Sequence, residues 1–285
     1  MVSETSVTAA RTGNKQRLST WMRIMMKIRD LGILGAGLVR TGFFLMFCYF
    51  RIFEAGSRFT LEGRVFPYFY HRYNNTFVNE RAVEVPVIWE LVKSYRAGRI
   101  LEIGNVLSHY YTVSHDIIDK YEIAPGVVNQ DAAVFRPAKA YDLIVSISTF
   151  EHIGWDESPR DPMKPLRAVE NLRHALAPGG LMVITVPIGY NPHLDALLTQ
   201  NLIPFTKRLC LKCISRDNRW QQVDWDQICC AGYDTHFSLA NGLLIGFIED
   251  IRKKDPTKAY ATGSPRSLAD SAREEIINSS PTEAT

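Results

Sequence analysis

Apolar and polar positions divide the chain into segments of different character. Residues 1–20 are polar and aperiodic, which predicts a mobile end. From Leu31 to Phe53 the chain is almost wholly apolar, interrupted before Arg51 only by Arg40 and Thr41. A run of about 20 apolar residues can span a bilayer. Against a span, an arginine near its middle opposes insertion by about 3 kcal/mol, and Gly32, Gly35, Gly37 and Gly42 weaken an isolated helix. Three outcomes stay open: a span, a helix lying in the membrane interface, or a helix packed on the domain. Val83, Val87, Ile88, Leu91 and Val92 recur at helical spacing, predicting a helix over about 85–96 that Gly98 stops. Residues 99–104 (Arg-Ile-Leu-Glu-Ile-Gly) then read as a short buried strand ending in a carboxylate and a glycine. Further buried strands are predicted at 115–119, 141–148, 181–187 and 243–248, with a helix from about Pro165 to Leu176. Strands alternating with helices predict an α/β, Rossmann-like, doubly wound and mainly parallel sheet with helices on both faces, plus an N-terminal apolar helical extension.

The expected organisation is a basic flexible N-terminus (1–30), an apolar and aromatic extension that caps the domain or touches membrane (31–84), an α/β domain (85–250) and a disordered tail (251–285). The formal net charge of +3 is too small to favour nucleic acid, and no basic stripe borders the expected sheet edge. Charge is concentrated in residues 1–30, where six Lys or Arg face two acids. With the apolar run beside it, residues 15–55 become a candidate contact for an anionic membrane surface. Five cysteines, an odd and small number, point to a reducing, cytoplasmic setting rather than a disulfide framework. Cys210 and Cys213 followed by adjacent Cys229 and Cys230 have poor spacing for tetrahedral zinc, so buried thiols are expected and no metal. Gly35-Ala-Gly37-Leu-Val-Arg40 begins like a dinucleotide loop, but arginine replaces the third glycine and no βαβ unit surrounds it.

Chemistry gathers in four pieces after the 85–96 helix. Leu101-Glu102-Ile103-Gly104-Asn105 ends one strand, and Gly104 lets backbone approach a ligand closely. Asp119 ends the next, where a carboxylate can accept both hydroxyls of a ribose diol. Asp131 follows Val127-Val128 and suits an amino group on an adenine edge. Tyr141 to Gly154 (YDLIVSISTFEHIG) joins a buried strand to a polar loop, and Leu176 to Pro187 (LAPGGLMVITVP) supplies a turn and another strand.

In order and spacing these pieces resemble the class I S-adenosylmethionine-dependent methyltransferases, over about residues 85–250. The resemblance implies S-adenosyl-L-methionine as cofactor, with Glu102, Gly104 and Asn105 at its methionine end, Asp119 on the ribose and Asp131 at the adenine. Ser148, Thr149 and Glu151 would border cofactor and acceptor. The implied acceptor is a small molecule, glycan or lipid. The chain departs from the family's glycine-rich loop, since Val106 and Ser108 stand at its later glycine positions, and His109, Tyr110 and Tyr111 are candidates to close the methionine end instead. About ten residues separate Gly104 from the next strand, which predicts a short or distorted first helix. A hydroxyl acceptor would need a base, for which histidine is suited near neutral pH; His152 is the first candidate, then His193 and Glu151. Tyr190, Asn191 and His193 are candidates for the acceptor pocket. A catalytically silent binding or scaffold protein on the same fold is the alternative that the altered loop keeps open.

Overall fold

The structure is a computed structural model and describes residues 32–235, 239–250 and 252. The segments expected to be mobile, 1–30 and the tail from 251, lie outside the described residues apart from Arg252. The chain runs α1 (Gly32–Phe53), β1 (Arg58–Leu61), β2 (Arg64–Pro67), α2 (Arg81–Ser94), β3 (Ile100–Ile103), β4 (Asp116–Ile118), β5 (Val127–Val128), β6 (Tyr141–Ile147), α3 (Lys164–His174), β7 (Leu176–Pro187), α4 (Pro192–Thr199), β8 (Lys207–Cys213), β9 (Trp220–Val223) and β10 (Gly242–Glu249).

Eight strands form one sheet in the order β5-β4-β3-β6-β7-β10-β8-β9. The first five pair parallel, while β10, β8 and β9 run antiparallel to their neighbours. This is the expected doubly wound, mainly parallel α/β fold. From β3 the chain builds outward through β4 and β5, then returns past β3 to lay down β6. The strand order therefore reverses between β3 and β6, and their carboxyl ends open a crevice there.

Strand alternation builds the core. Leu143, Val145 and Ile147 of β6 and Leu181 and Val183 of β7 face one side, against Val83, Val87, Ile88 and Leu91 of α2. Ile144, Met182 and Ile184 face the other, against Ala168, Val169 and Leu172 of α3. The first layer continues into Phe50, Phe59, Leu61, Phe66 and Phe77, so the N-terminal extension shares a hydrophobic cluster with the sheet. Helix α1 docks through Phe50, whose ring lies 5.6 Å from Phe77 and 5.0 Å from Tyr70. Among the described residues no helix is long and apolar enough to cross a membrane. Gly35 and Gly37 lie within α1, not in a strand-to-helix turn, in keeping with rejection of a dinucleotide loop.

Four features escaped the sequence reading. The β1–β2 hairpin turns on Glu62 and Gly63, both with positive φ (50° and 70°), the geometry of a tight primed turn. Strands β8 and β9, and helix α4 begun by Asn191 and Pro192, were also not anticipated. Cys210 and Cys213, three residues apart on β8, face opposite layers, so a strand geometry keeps them from sharing a metal.

Candidate active site

A cavity of about 510 Å³ opens at the switch point, over the carboxyl ends of β3, β4 and β6. Gly104 holds it open. Its φ is +83°, and a Cβ there would lie 2.3 Å from the Thr149 hydroxyl, so only glycine lets the β3 and β6 ends come this close. The helix that usually follows the first strand is reduced to one 3-10 turn, Leu107–His109, as the short spacing predicted.

Glu102 has a different place from the expected one. It is fully buried and does not line the cavity. Its Oε1 accepts the Val106 and Leu107 N–H groups, both at 2.8 Å, and its Oε2 lies 2.7 Å from His115 Nε2. Glu102 thus anchors the loop from below by accepting two of its backbone N–H groups. Asn105 does line the cavity, and its amide donates to Glu122 Oε1 at 2.7 Å. Asp119 lines it too: Oδ1 accepts the Tyr121 and Glu122 N–H groups at 2.7 Å, while Oδ2 receives the Asn105 N–H at 3.3 Å.

Asp131 lines the far end, but both its oxygens are engaged. Oδ1 accepts the Ala133 N–H at 3.0 Å, and Oδ2 takes Lys164 Nζ at 2.6 Å and Lys120 Nζ at 3.1 Å. The same two lysines bind Glu157. Burial is the largest single influence and opposes the Asp131 charge, but the hydrogen bonds from Lys164, the Ala133 N–H and Lys120 together outweigh it and hold this carboxyl below its ordinary range. This two-lysine, two-carboxylate network was invisible in the sequence, because Lys164 is 33 residues from Asp131.

His152 also lines the cavity, with its Nδ1 2.6 Å from Asp156 Oδ2. Tyr190 donates its hydroxyl to the same oxygen at 2.9 Å, and its ring lies 4.8 Å from the imidazole. Asp156, four residues after His152, had a sequence signal in that spacing alone. With Nδ1–H donated to the carboxylate, Nε2 carries the lone pair. Of the other catalytic candidates, Glu151 adjoins His152, with Oε1 3.6 Å from Nε2, while His193 lies apart. The His193 side chain is exposed, edge-on to Trp155 at 5.4 Å, and outside the cavity. Asn191 caps α4, accepting from the His193 and Leu194 N–H groups while its amide donates to the Glu151 carbonyl.

Glu151 is buried behind the rim rather than in the cavity, and its Oε2 has no partner among the described residues. Burial, reinforced by nearby Glu84, pushes its carboxyl well above the ordinary range. Ser148 (φ +40°) also turns inward and donates its hydroxyl to Glu84 Oε2 at 2.7 Å. Glu84 accepts from Thr185 as well, and Arg81 beside it donates to the Ile147 carbonyl. Arg81, largely buried yet part of the cavity wall, is a site residue the sequence did not mark. His109 and Tyr110 close the cavity, with His109 stacked 4.3 Å from Tyr73. Tyr111 instead stacks on Trp89 at 4.0 Å, outside it.

No family model matches the chain, and no curated protein matches it. Among solved structures, it is similar to the N-methyltransferase NodS from Bradyrhizobium japonicum WM9 in complex with S-adenosyl-L-homocysteine: 16% identity, 64% of this chain and 97% of that chain covered, TM-score 0.36. A SAM-dependent methyltransferase from Archaeoglobus fulgidus shows 12% identity over 62% of this chain and 97% of that one, TM-score 0.39. For SAM-bound CalS10, an amino pentose methyltransferase from Micromonospora echinaspora, the figures are 16% identity, 35% and 48% coverage and TM-score 0.25, so the chain spans about half of its length. At these scores the likeness is similarity alone. The fold class rests on the strand order.

Proposed function

We propose that this chain transfers the methyl group of S-adenosylmethionine to a small-molecule, glycan or lipid acceptor. The observation that carries the reading is one cavity at the β3/β6 switch point lined by the glycine-opened loop, Asp119 and His152, whose imidazole Asp156 holds. Its size lies within the range of about 300–1,000 Å³ usual for small-molecule sites. The residues fit the cofactor's chemistry. Gly104 leaves backbone exposed where a Cβ would obstruct, Asp119 offers Oδ2 to a ribose diol, and Arg81 sets a cation in the wall for a carboxylate. Asp131 would meet the adenine edge only alongside its lysine partners.

When bound, the cofactor supplies an electrophilic sulfonium methyl for in-line attack. The chain's own part is alignment and, for a hydroxyl acceptor, proton removal. Asp156 orients the imidazole and stabilises it once charged; His152 Nε2 takes the proton. Glu151, whose carboxyl is raised by burial well above its ordinary range, lies outside the cavity and shapes its rim from behind. The substitution of Val106 and Ser108 for glycines favours the second reading, a silent module that binds without turnover. Titration calorimetry with S-adenosylhomocysteine and S-adenosylmethionine tests both. Heat of binding is expected; no heat and no thermal shift at millimolar ligand would overturn the enzyme reading. Binding without transfer to any acceptor offered would favour the silent module.

A further inference from the structure

Helix α1 uses only part of its apolar surface for docking. Phe43, Met46, Phe47 and Phe50 pack on the core. A second stripe at helical spacing, Leu38, Leu45, Tyr49 and Ile52, continues to Phe53 and stands 51–72% exposed. Isolated exposed apolar side chains are ordinary, but a continuous stripe of this kind marks an interaction surface. We propose that this stripe lies on an anionic membrane surface, with α1 parallel to the bilayer plane.

Charge decides among the occupants. Residues 32–53 contain no acid, while Arg40 and Arg51 are exposed on the helix and Arg58 and Arg72 flank it. Glu54, just beyond its end, is neutralised by Arg219. A second copy related by a twofold axis would bring these like charges together; an anionic lipid surface attracts them. The six basic residues of the first thirty extend the same sign along the sequence. Spanning is excluded for α1, since one of its faces is already committed to the protein core and it is not apolar enough to cross. Aromatic Tyr49 and Phe53, with Phe44 beneath the Arg72 guanidinium at 5.2 Å, suit the headgroup boundary. Arg72 directly precedes Tyr73 and Asn74 of the cavity wall, so docking brings the cavity rim close to lipid headgroups.

The test is co-sedimentation of the full chain with vesicles of phosphatidylcholine alone and of phosphatidylcholine mixed with phosphatidylglycerol. Wild type is expected to pellet with the mixed vesicles and little with the neutral ones. The double variant L45E/I52E, changed only at exposed positions, is expected to lose at least about tenfold in partitioning with an unchanged melting temperature. Wild type that ignores the mixed vesicles, or a variant that binds them equally, overturns the proposal. So does light scattering that finds a wild-type dimer and a monomeric variant, which would assign the stripe to a second copy. Because S-adenosylhomocysteine binding is measured separately, failure here leaves the methyl-transfer reading standing.

Discussion

Single side chains decide whether the cavity can work. The Gly104 backbone lies where a Cβ would collide with Thr149, and its φ of +83° is one that L side chains rarely adopt. G104A is therefore expected to weaken S-adenosylhomocysteine binding more than about tenfold, and calorimetry reads this directly. His152 is held by Asp156 and Tyr190, so H152A is expected to lower kcat for a hydroxyl acceptor by about 10²–10⁴ while leaving cofactor binding intact. An unchanged kcat would remove it as the base. Glu80 and Glu151 are buried; desolvation, with nearby Glu84, raises Glu80 from 4.5 to about 7 and Glu151 well above its ordinary value. The folded state therefore holds protons that the unfolded chain releases near pH 4.5. Stability is greatest at low pH in this respect and falls as pH rises through the window from about 4.5 to about 7. E80Q is expected to flatten that fall in a series of thermal melts.

At the level of elements, the loop after β3 is held by one buried side chain, Glu102. Glu102 and Gly104 were legible as a strand end, because an apolar run closing on an acid and a glycine is a local pattern. Which way Glu102 points was not, since His115 reaches it only after the chain turns back to begin β4. E102Q keeps the acceptor for Val106 and Leu107 but weakens the charge-assisted contact with His115. A loss of about 1–3 kcal/mol in denaturant unfolding is expected. Helix α1 has the same lesson. Its apolar run was plain, but only docking divides that run into a buried and an exposed stripe. Because Phe50 belongs to the core, deleting the helix would uncover Phe77 and Tyr70, and point changes on the exposed stripe are the cleaner probe.

For the whole molecule, a ligand that fills the cavity ties β3, β4 and β6 together and should stabilise the fold. Saturation at about 100 times Kd adds about 2.7 kcal/mol, equivalent to about 5 °C or more in melting temperature for a domain of this size. A differential scan with and without S-adenosylhomocysteine checks it.

The sequence by itself determined the parallel α/β core, the positions of β3, β4, β6, β7 and β10, and the acids at 119 and 131, because burial periodicity and strand-end residues are local signals. It also singled out His152. Tertiary structure alone decided which of these groups share one cavity. It brought Arg81 and Lys164 into the wall or against Asp131, turned Glu102, Ser148 and Glu151 inward, and left His193 outside. The reason is physical: side-chain direction at a strand end depends on what the neighbouring strands bury, and those neighbours come from parts of the chain tens of residues away.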